Sequence, residues 1–154
     1  MEVAPGLQLV SIIRNMTNRR DNLRPLVETS KGLAHPTRLR LLAMLEMGEL
    51  CVCQMTAVLE LASSTVSQHL SVLARGGLVA DRKEGRLVFY RLAEGGVASA
   101  LLPPLLELLA DDERVEADRS LVARLRDVPV AALCAADLDL AAVGVAPAAA
   151  GGDP

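Results

Sequence analysis

Aromatic residues are almost absent, with one Tyr, one Phe and no Trp among 154 residues. Apolar residues still make up 51% of the chain, so the core has to be filled by Leu, Val and Ala, which suits a helical fold. Cysteine is scarce as well. Cys51, Cys53 and Cys134 are too few and too oddly spaced for a disulfide framework, and a reducing cytoplasm is the expected compartment. The first residues lack the basic region and long apolar core of a signal peptide. No stretch has the apolar length of a membrane span, so no membrane partner is expected. There are only two histidines, His35 and His69, no glycine-rich phosphate loop, and no base beside Cys51 or Cys53 in sequence. These absences tell against an enzyme.

A chain of this length can bury a proper core, and one domain is the natural expectation. The net charge of −3 argues at first sight against a nucleic-acid partner. The charges are unevenly spread, however. Residues 1–95 hold 12 Lys/Arg against 9 Asp/Glu, and the remainder holds 4 against 10. A basic front and an acidic back fit a DNA face opposed to a solvated or dimerising end.

In chain order, Leu7–Thr17 reads as a short amphipathic helix, followed by Arg14, Arg19, Arg20 and Arg24 on or beyond it. A second helix starts at Pro25, a good first helical residue, and ends near Gly32–Ala34. His35 before Pro36 caps a third, with Leu39, Leu42 and Leu45 at helical spacing and Gly48 at its end. The next helix begins at the two cysteines and turns Val52, Met55 and Leu59 inward.

The helix from Ser63 to Arg75 puts Val66, Leu70 and Leu73 on one stripe. Ser63 and Ser64 serve as N-caps, and Gly76-Gly77 closes it. Its polar face carries Ser64, Thr65, Ser67, Gln68, Ser71 and Arg75 with no acid, as a helix lying in a DNA major groove requires. Leu78–Lys83 and Arg86–Leu92 then read as two strands joined through Glu84-Gly85. Arg82, Lys83 and Arg86 cluster at the hairpin tip, where cations meet phosphate. Beyond it, Val97–Leu109 is dense in leucine, with a helix broken or restarted at Pro103-Pro104. Leu101, Leu102, Leu105, Leu106 and Leu109 suggest a dimer interface. A further helix over Asp111–Arg126 follows, and after Pro129 the Ala- and Gly-rich composition suggests a mobile tail with one short helix near Ala131–Leu140.

Four blocks in order, LAHPTRLRLLAML, ELCVCQM, SSTVSQHLSVLARGGLV and DRKEGRLVFYRL, resemble the ArsR/SmtB family of metal-responsive repressors. The resemblance implies a mainly α fold with a small β-hairpin wing, a dimeric winged helix-turn-helix. It also implies a homodimer on a double-stranded palindromic operator, released by an ion or small thiophile. Ser64, Thr65, Ser67, Gln68 and His69 then lie in the recognition helix, where His69 has two roles open to it, DNA contact or packing. The organisation that results is an arm over 1–24, a DNA-binding and dimerisation domain over 25–110, a helical extension over 111–128 and a flexible tail over 129–154.

ELCVC resembles the thiolate site of the arsenic-, cadmium- and lead-responsive branches, and departs from the arsenic pattern at Thr56, where that pattern has a third cysteine. Cadmium- and lead-type sites draw cysteines from the N-terminal arm, which has none here. Zinc-type sites use His on the final helix, and no His follows His69.

Thiolates are soft ligands, and they favour thiophilic acceptors. Trivalent arsenic or antimony takes three sulfurs, and methylated arsenic takes two. Cys51 and Cys53 supply two, and Cys134 is the remaining thiol of the chain, with Cys134 of a partner subunit, glutathione and water as the other sources open to a third ligand. A tetrahedral four-cysteine zinc site cannot be built from one chain. Residues i and i+2 diverge on a helix but share a face in extended backbone, so a shared ion asks the helix start to loosen. The expected inducer is As(III), as arsenite or methylarsenite, or a related thiophilic ion such as antimonite. A redox or persulfide switch through the same thiols, or a cadmium or lead sensor, is the alternative.

Overall fold

The computed structural model describes residues 23–145. The expected helix at Leu7–Thr17 and the last nine residues lie outside them. Helix α1 (Leu23–Leu33) leads into α2 (Pro36–Glu46), whose cap is as expected: His35 Nδ1 accepts from Thr37 N at 3.1 Å, and Pro36 follows. Leu41, Leu42, Ala43, Met44 and Leu45 of α2 are all 2% exposed or less. Five consecutive buried residues mean a helix enclosed all round, where the leucine stripe alone promised one buried face. Helices α1, α4, α5 and α6 and strand β3 pack on this spine.

Strand β1 (Leu50–Cys51) is the element absent from the sequence reading. It pairs antiparallel with β3 (Leu87–Leu92), Leu50 opposite Tyr90 and Cys51 opposite Phe89. Two residues carry no periodicity, so only the partner strand makes them a strand. Helices α3 (Val52–Leu59) and α4 (Ser63–Arg75) follow, then β2 (Val79–Glu84), which completes a sheet ordered β1-β3-β2. The hairpin turn is Gly85-Arg86, with φ of 59° on Gly85, the first central position that takes glycine in a type II′ turn. Gly76 permits α1 to cross the end of α4. A Cβ there would sit 3.0 Å from the Glu28 carbonyl oxygen, and Thr29 Oγ1 donates to the Gly76 carbonyl at 2.8 Å.

Helix α5 runs unbroken over Gly96–Leu109 with Pro103 and Pro104 inside it, correcting the expected interruption. An interior proline costs about 3 kcal/mol or more. Burying Leu102 and Leu106, each 4% exposed, together with Ala98 and Ala100, offsets a cost of that order at roughly 1.5–3 kcal/mol per leucine. Those two leucines therefore belong to the chain's own core. Leu101, Leu105 and Leu109 are half-buried, and Leu108 is 82% exposed.

Helix α6 (Glu113–Leu125) is capped by Asp112, whose side chain accepts from Arg114 N and Val115 N. It is fastened to α2 by the pair Arg40–Asp118, two hydrogen bonds of 2.7 and 2.8 Å, with Asp118 only 3% exposed. Arg119 and Glu46 form a second pair. After it, α7 (Val130–Ala135) and the turns to Val145 fold back on α3, with Leu133 at 1% and Val145 at 4% exposure. The Ala-rich composition suggested mobility here, but two apolar anchors fix the segment. No helix among the described residues is long and apolar enough to cross a membrane.

Candidate nucleic-acid interface and thiol site

Cys51 closes β1 and is the N-cap of α3, with extended backbone (φ −73°, ψ 148°), and Cys53 is already helical. That change of conformation between them cancels the divergence of an i, i+2 pair on a regular helix. The two sulfurs converge to 2.7 Å, longer than the roughly 2.05 Å of a disulfide. Both cysteines are free, Cys51 being buried and Cys53 half-buried.

The pair is electrostatically asymmetric. The Cys53 thiol donates to Cys51, and backbone N–H groups of Cys53, Val88 and Gln54 add to it, bringing Cys51 down to about 6 against the opposing effect of burial. Cys53 is pushed well above the usual thiol range, first by the Cys51 sulfur, then by burial and by the Cys134 thiol. The positive end of α3 also favours charge on Cys51.

Gln54 completes the arrangement, its Oε1 accepting from Cys51 N at 2.9 Å. Sequence reasoning passed over Gln54. The signal was there, since Cys51-x-x-Gln54 has capping-box spacing with sulfur in place of a hydroxyl oxygen. Cys134 lies on α7 and is exposed. The three cysteines do not close into a metal-ligating group among the described residues.

The cysteine pair opens on a cleft of about 270 Å³ whose walls are Ser63 and Ser67 of α4 and Arg86, Leu87 and Val88 of the hairpin. Thiols, recognition helix and wing thus share one space.

On α4 the inward stripe is as expected, with Val66, Leu70 and Leu73 at 0% exposure. Ser63, Ser64, Ser67, Gln68, Ser71 and Arg75 are exposed, and Thr65 and His69 are half-buried. The cap is different. Ala62 is the N-cap and makes no side-chain bond, so Ser63 and Ser64 are helical residues, because the turn after α3 ends one residue earlier than capping by Ser63 requires.

His69 packs its ring on His35, with centroids 4.5 Å apart, and Arg38 Nη1 lies 3.4 Å from its Nδ1. Arg75 sits at the far end of α4 beside Arg24 and Glu28. On the hairpin, Lys83 and Arg86 are exposed at the tip. Arg82 is committed elsewhere, its Nε donating to Glu49 Oε1 at 2.9 Å, its Nη1 to Glu84 at 2.7 Å, and its guanidinium lying 4.6 Å from the Phe89 ring centroid.

Residues 35–81 match the model of the bacterial regulatory protein arsR family. The transcriptional activator HlyU of Vibrio cholerae is 39% identical over 87 residues, 56% of this chain and 81% of that one. The chain belongs to the arsR family.

Its arsR relatives include the arsenical resistance operon repressor of Escherichia coli, 43% identical over 68 residues, 44% of this chain and 58% of that one. Over relatives of this kind the chain spans little more than half their length. The solved structure of HlyU from Vibrio cholerae superposes with a TM-score of 0.53 at 38% identity, over 60% of this chain and 99% of that one. A homodimeric winged helix-turn-helix DNA-binding domain from Mycobacterium bovis, a possible ArsR-family regulator, gives 0.51 at 30% identity, over 62% and 92%. The fold is thus the arsR winged helix-turn-helix, and the arsR relatives named here are transcriptional regulators.

Proposed function

We propose that this chain is a transcriptional repressor that binds double-stranded operator DNA as a homodimer and leaves it when trivalent arsenic binds Cys51 and Cys53, with Cys134 as third thiolate. The observation that carries this reading is the convergence of two sulfurs in the cleft walled by α4 and the wing. The donor set fits the ligand. It offers soft sulfur, and no imidazole lines the cleft. Arsenite, methylarsenite and antimonite share this chemistry, and cadmium or lead compete for it.

In the DNA-bound form, exposed Ser64, Ser67 and Gln68 reach base edges, and Lys83 and Arg86 meet phosphate. A thiophile seated between the sulfurs spreads a pair now 2.7 Å apart. Spreading moves Cys51 against Val88 and Phe89 of β3 or turns the start of α3. Either displacement reaches the wing or, through Ala62, the recognition helix.

A gel-shift with reduced protein tests this reading, with arsenite, methylarsenite, antimonite, cadmium, lead and zinc added in turn. Release by arsenite that disappears in Cys51→Ser and Cys53→Ser is expected. Failure of every thiophile to release DNA would sink the proposal. Exposure of Cys134 on α7, the helix folded back on α3, favours one second reading, in which a hydroperoxide takes two electrons and two protons from these thiols to leave a disulfide. Release by peroxide and by no thiophile selects it.

A further inference from the structure

The thiol strand and the wing are tied together a second time, by side chains. Cys51 of β1 stands opposite Phe89 of β3, and Phe89 in turn stands opposite Arg82 of β2. Residues directly opposite in antiparallel strands share a face, so Cys51, Phe89 and Arg82 form one row across the sheet. The Arg82 guanidinium lies 4.6 Å from the Phe89 ring centroid and reaches across β3 to Glu49, just ahead of β1. Its Nε donates to both carboxylate oxygens of Glu49, at 2.9 and 3.0 Å, and its Nη2 to Oε1 at 2.5 Å. Its Nη1 is held by Glu84 of its own strand, at 2.7 Å. The circuit from Cys51 through Phe89 and Arg82 to Glu49, and back along the chain to Cys51, is closed.

Strands β1 and β2 are the two edges of this sheet and meet β3 on opposite sides. With two residues, β1 has only a short ladder by which to grip the hairpin. The guanidinium fork on Glu49 adds a directional grip, since a bidentate pair fixes geometry as well as charge. Any shift of Cys51 that carries Glu49 with it therefore pulls on Arg82, in the strand that leads to the hairpin tip.

We infer that the Glu49–Arg82 pair couples the thiol site to the wing, passing displacement at Cys51 across the sheet to the tip that carries Lys83 and Arg86. Arg82 is then a positioning residue, and its cation serves the sheet in place of a phosphate. The inference rests on the thiol-regulated repressor proposed above, and of its two routes it selects the wing. An exposed pair of this kind adds little to stability, so removing it probes communication without unfolding the chain. Glu84 supplies the matched control, because it pairs with the same arginine from within the hairpin and touches no part of the thiol strand.

Two measurements on the reduced full chain and its operator duplex test the coupling. In anisotropy titrations, saturating arsenite is expected to lower DNA affinity of the wild type by a factor within about 5–150. Glu49→Gln should cut that factor about threefold or more, while Glu84→Gln leaves it unchanged. Arsenite affinity, read from sulfur-to-arsenic ultraviolet absorbance, should stay within about twofold in both variants. The second measurement needs no arsenic. Hydrogen exchange of the Leu50–Gln54 amides is expected to slow several-fold when DNA binds the wild type or Glu84→Gln, and not when it binds Glu49→Gln. An undiminished arsenite effect in Glu49→Gln, an equal loss in Glu84→Gln, or protection of Leu50–Gln54 that persists in Glu49→Gln would each overturn the assignment. Glu49-dependent protection in a wild type that arsenite fails to release would sink the arsenic reading and uphold the coupling.

Discussion

Cys51 is the residue on which the chemistry turns, because its neighbours lower its proton affinity while its position hides it from water. With the folded thiol near 6 and an unfolded one near 8.5, folding is favoured by the thiolate. That contribution is complete above the unfolded value and is lost as pH falls through the folded one. Thiolate ultraviolet absorbance is therefore expected to rise with a midpoint near 6 in the native protein and to vanish from that range in Cys51→Ser. Urea stability of the wild type should decline between about pH 8.5 and 6, and that of the variant should not. Asp118 is a second decisive residue. Its removal strands Arg40 against α6, and Asp118→Ala is expected to cost about 3 kcal/mol in urea unfolding. Arg40→Met/Asp118→Leu should recover most of that loss.

Among the elements, α4 and the hairpin divide reading from anchoring. Removal of Lys83 or Arg86 should weaken binding equally on all DNA sequences and lower the salt slope of binding by about one each. Gln68→Ala should instead relax discrimination at one base position, at about 1–3 kcal/mol. Arg82→Ala is expected to change DNA affinity little, since that guanidinium is held by Glu49 and Glu84. Anisotropy titrations at several salt concentrations separate the three cases. The α4 stripe and the Gly85 turn were legible because periodicity and turn chemistry are local. The engagement of Arg82 was hidden because Glu49 lies 33 residues away.

At the scale of the whole molecule, Leu23, Leu26, Val27 and Leu108 remain exposed. A second copy of the chain is the partner proposed for apolar surface of this kind. Leu108→Glu is expected to shift sedimentation from dimer to monomer and to reduce operator affinity, with little change in unfolding, because the side chain is 82% exposed. The fold-back of Val130–Val145 sets the helix that carries Cys134, the third thiolate of the proposed site, against α3 of the same chain. Cys134→Ser should therefore raise the arsenite concentration needed for DNA release at least tenfold, while methylarsenite, which needs two sulfurs, is affected less.

The helix-turn-helix, the His35 cap before it and the soft character of its thiols follow from sequence alone, because each depends on residues within a turn or two of one another. Tertiary structure decided three things that spacing could not. Pairing of Leu50 and Cys51 with β3 holds Cys51 extended, and that is what brings the sulfurs of an i, i+2 pair together. Burial of Leu102 and Leu106 carries α5 through two prolines that local propensity would end it at. Anchoring of Leu133 and Val145 brings the helix that carries Cys134 back against α3, an approach only the packed core can make.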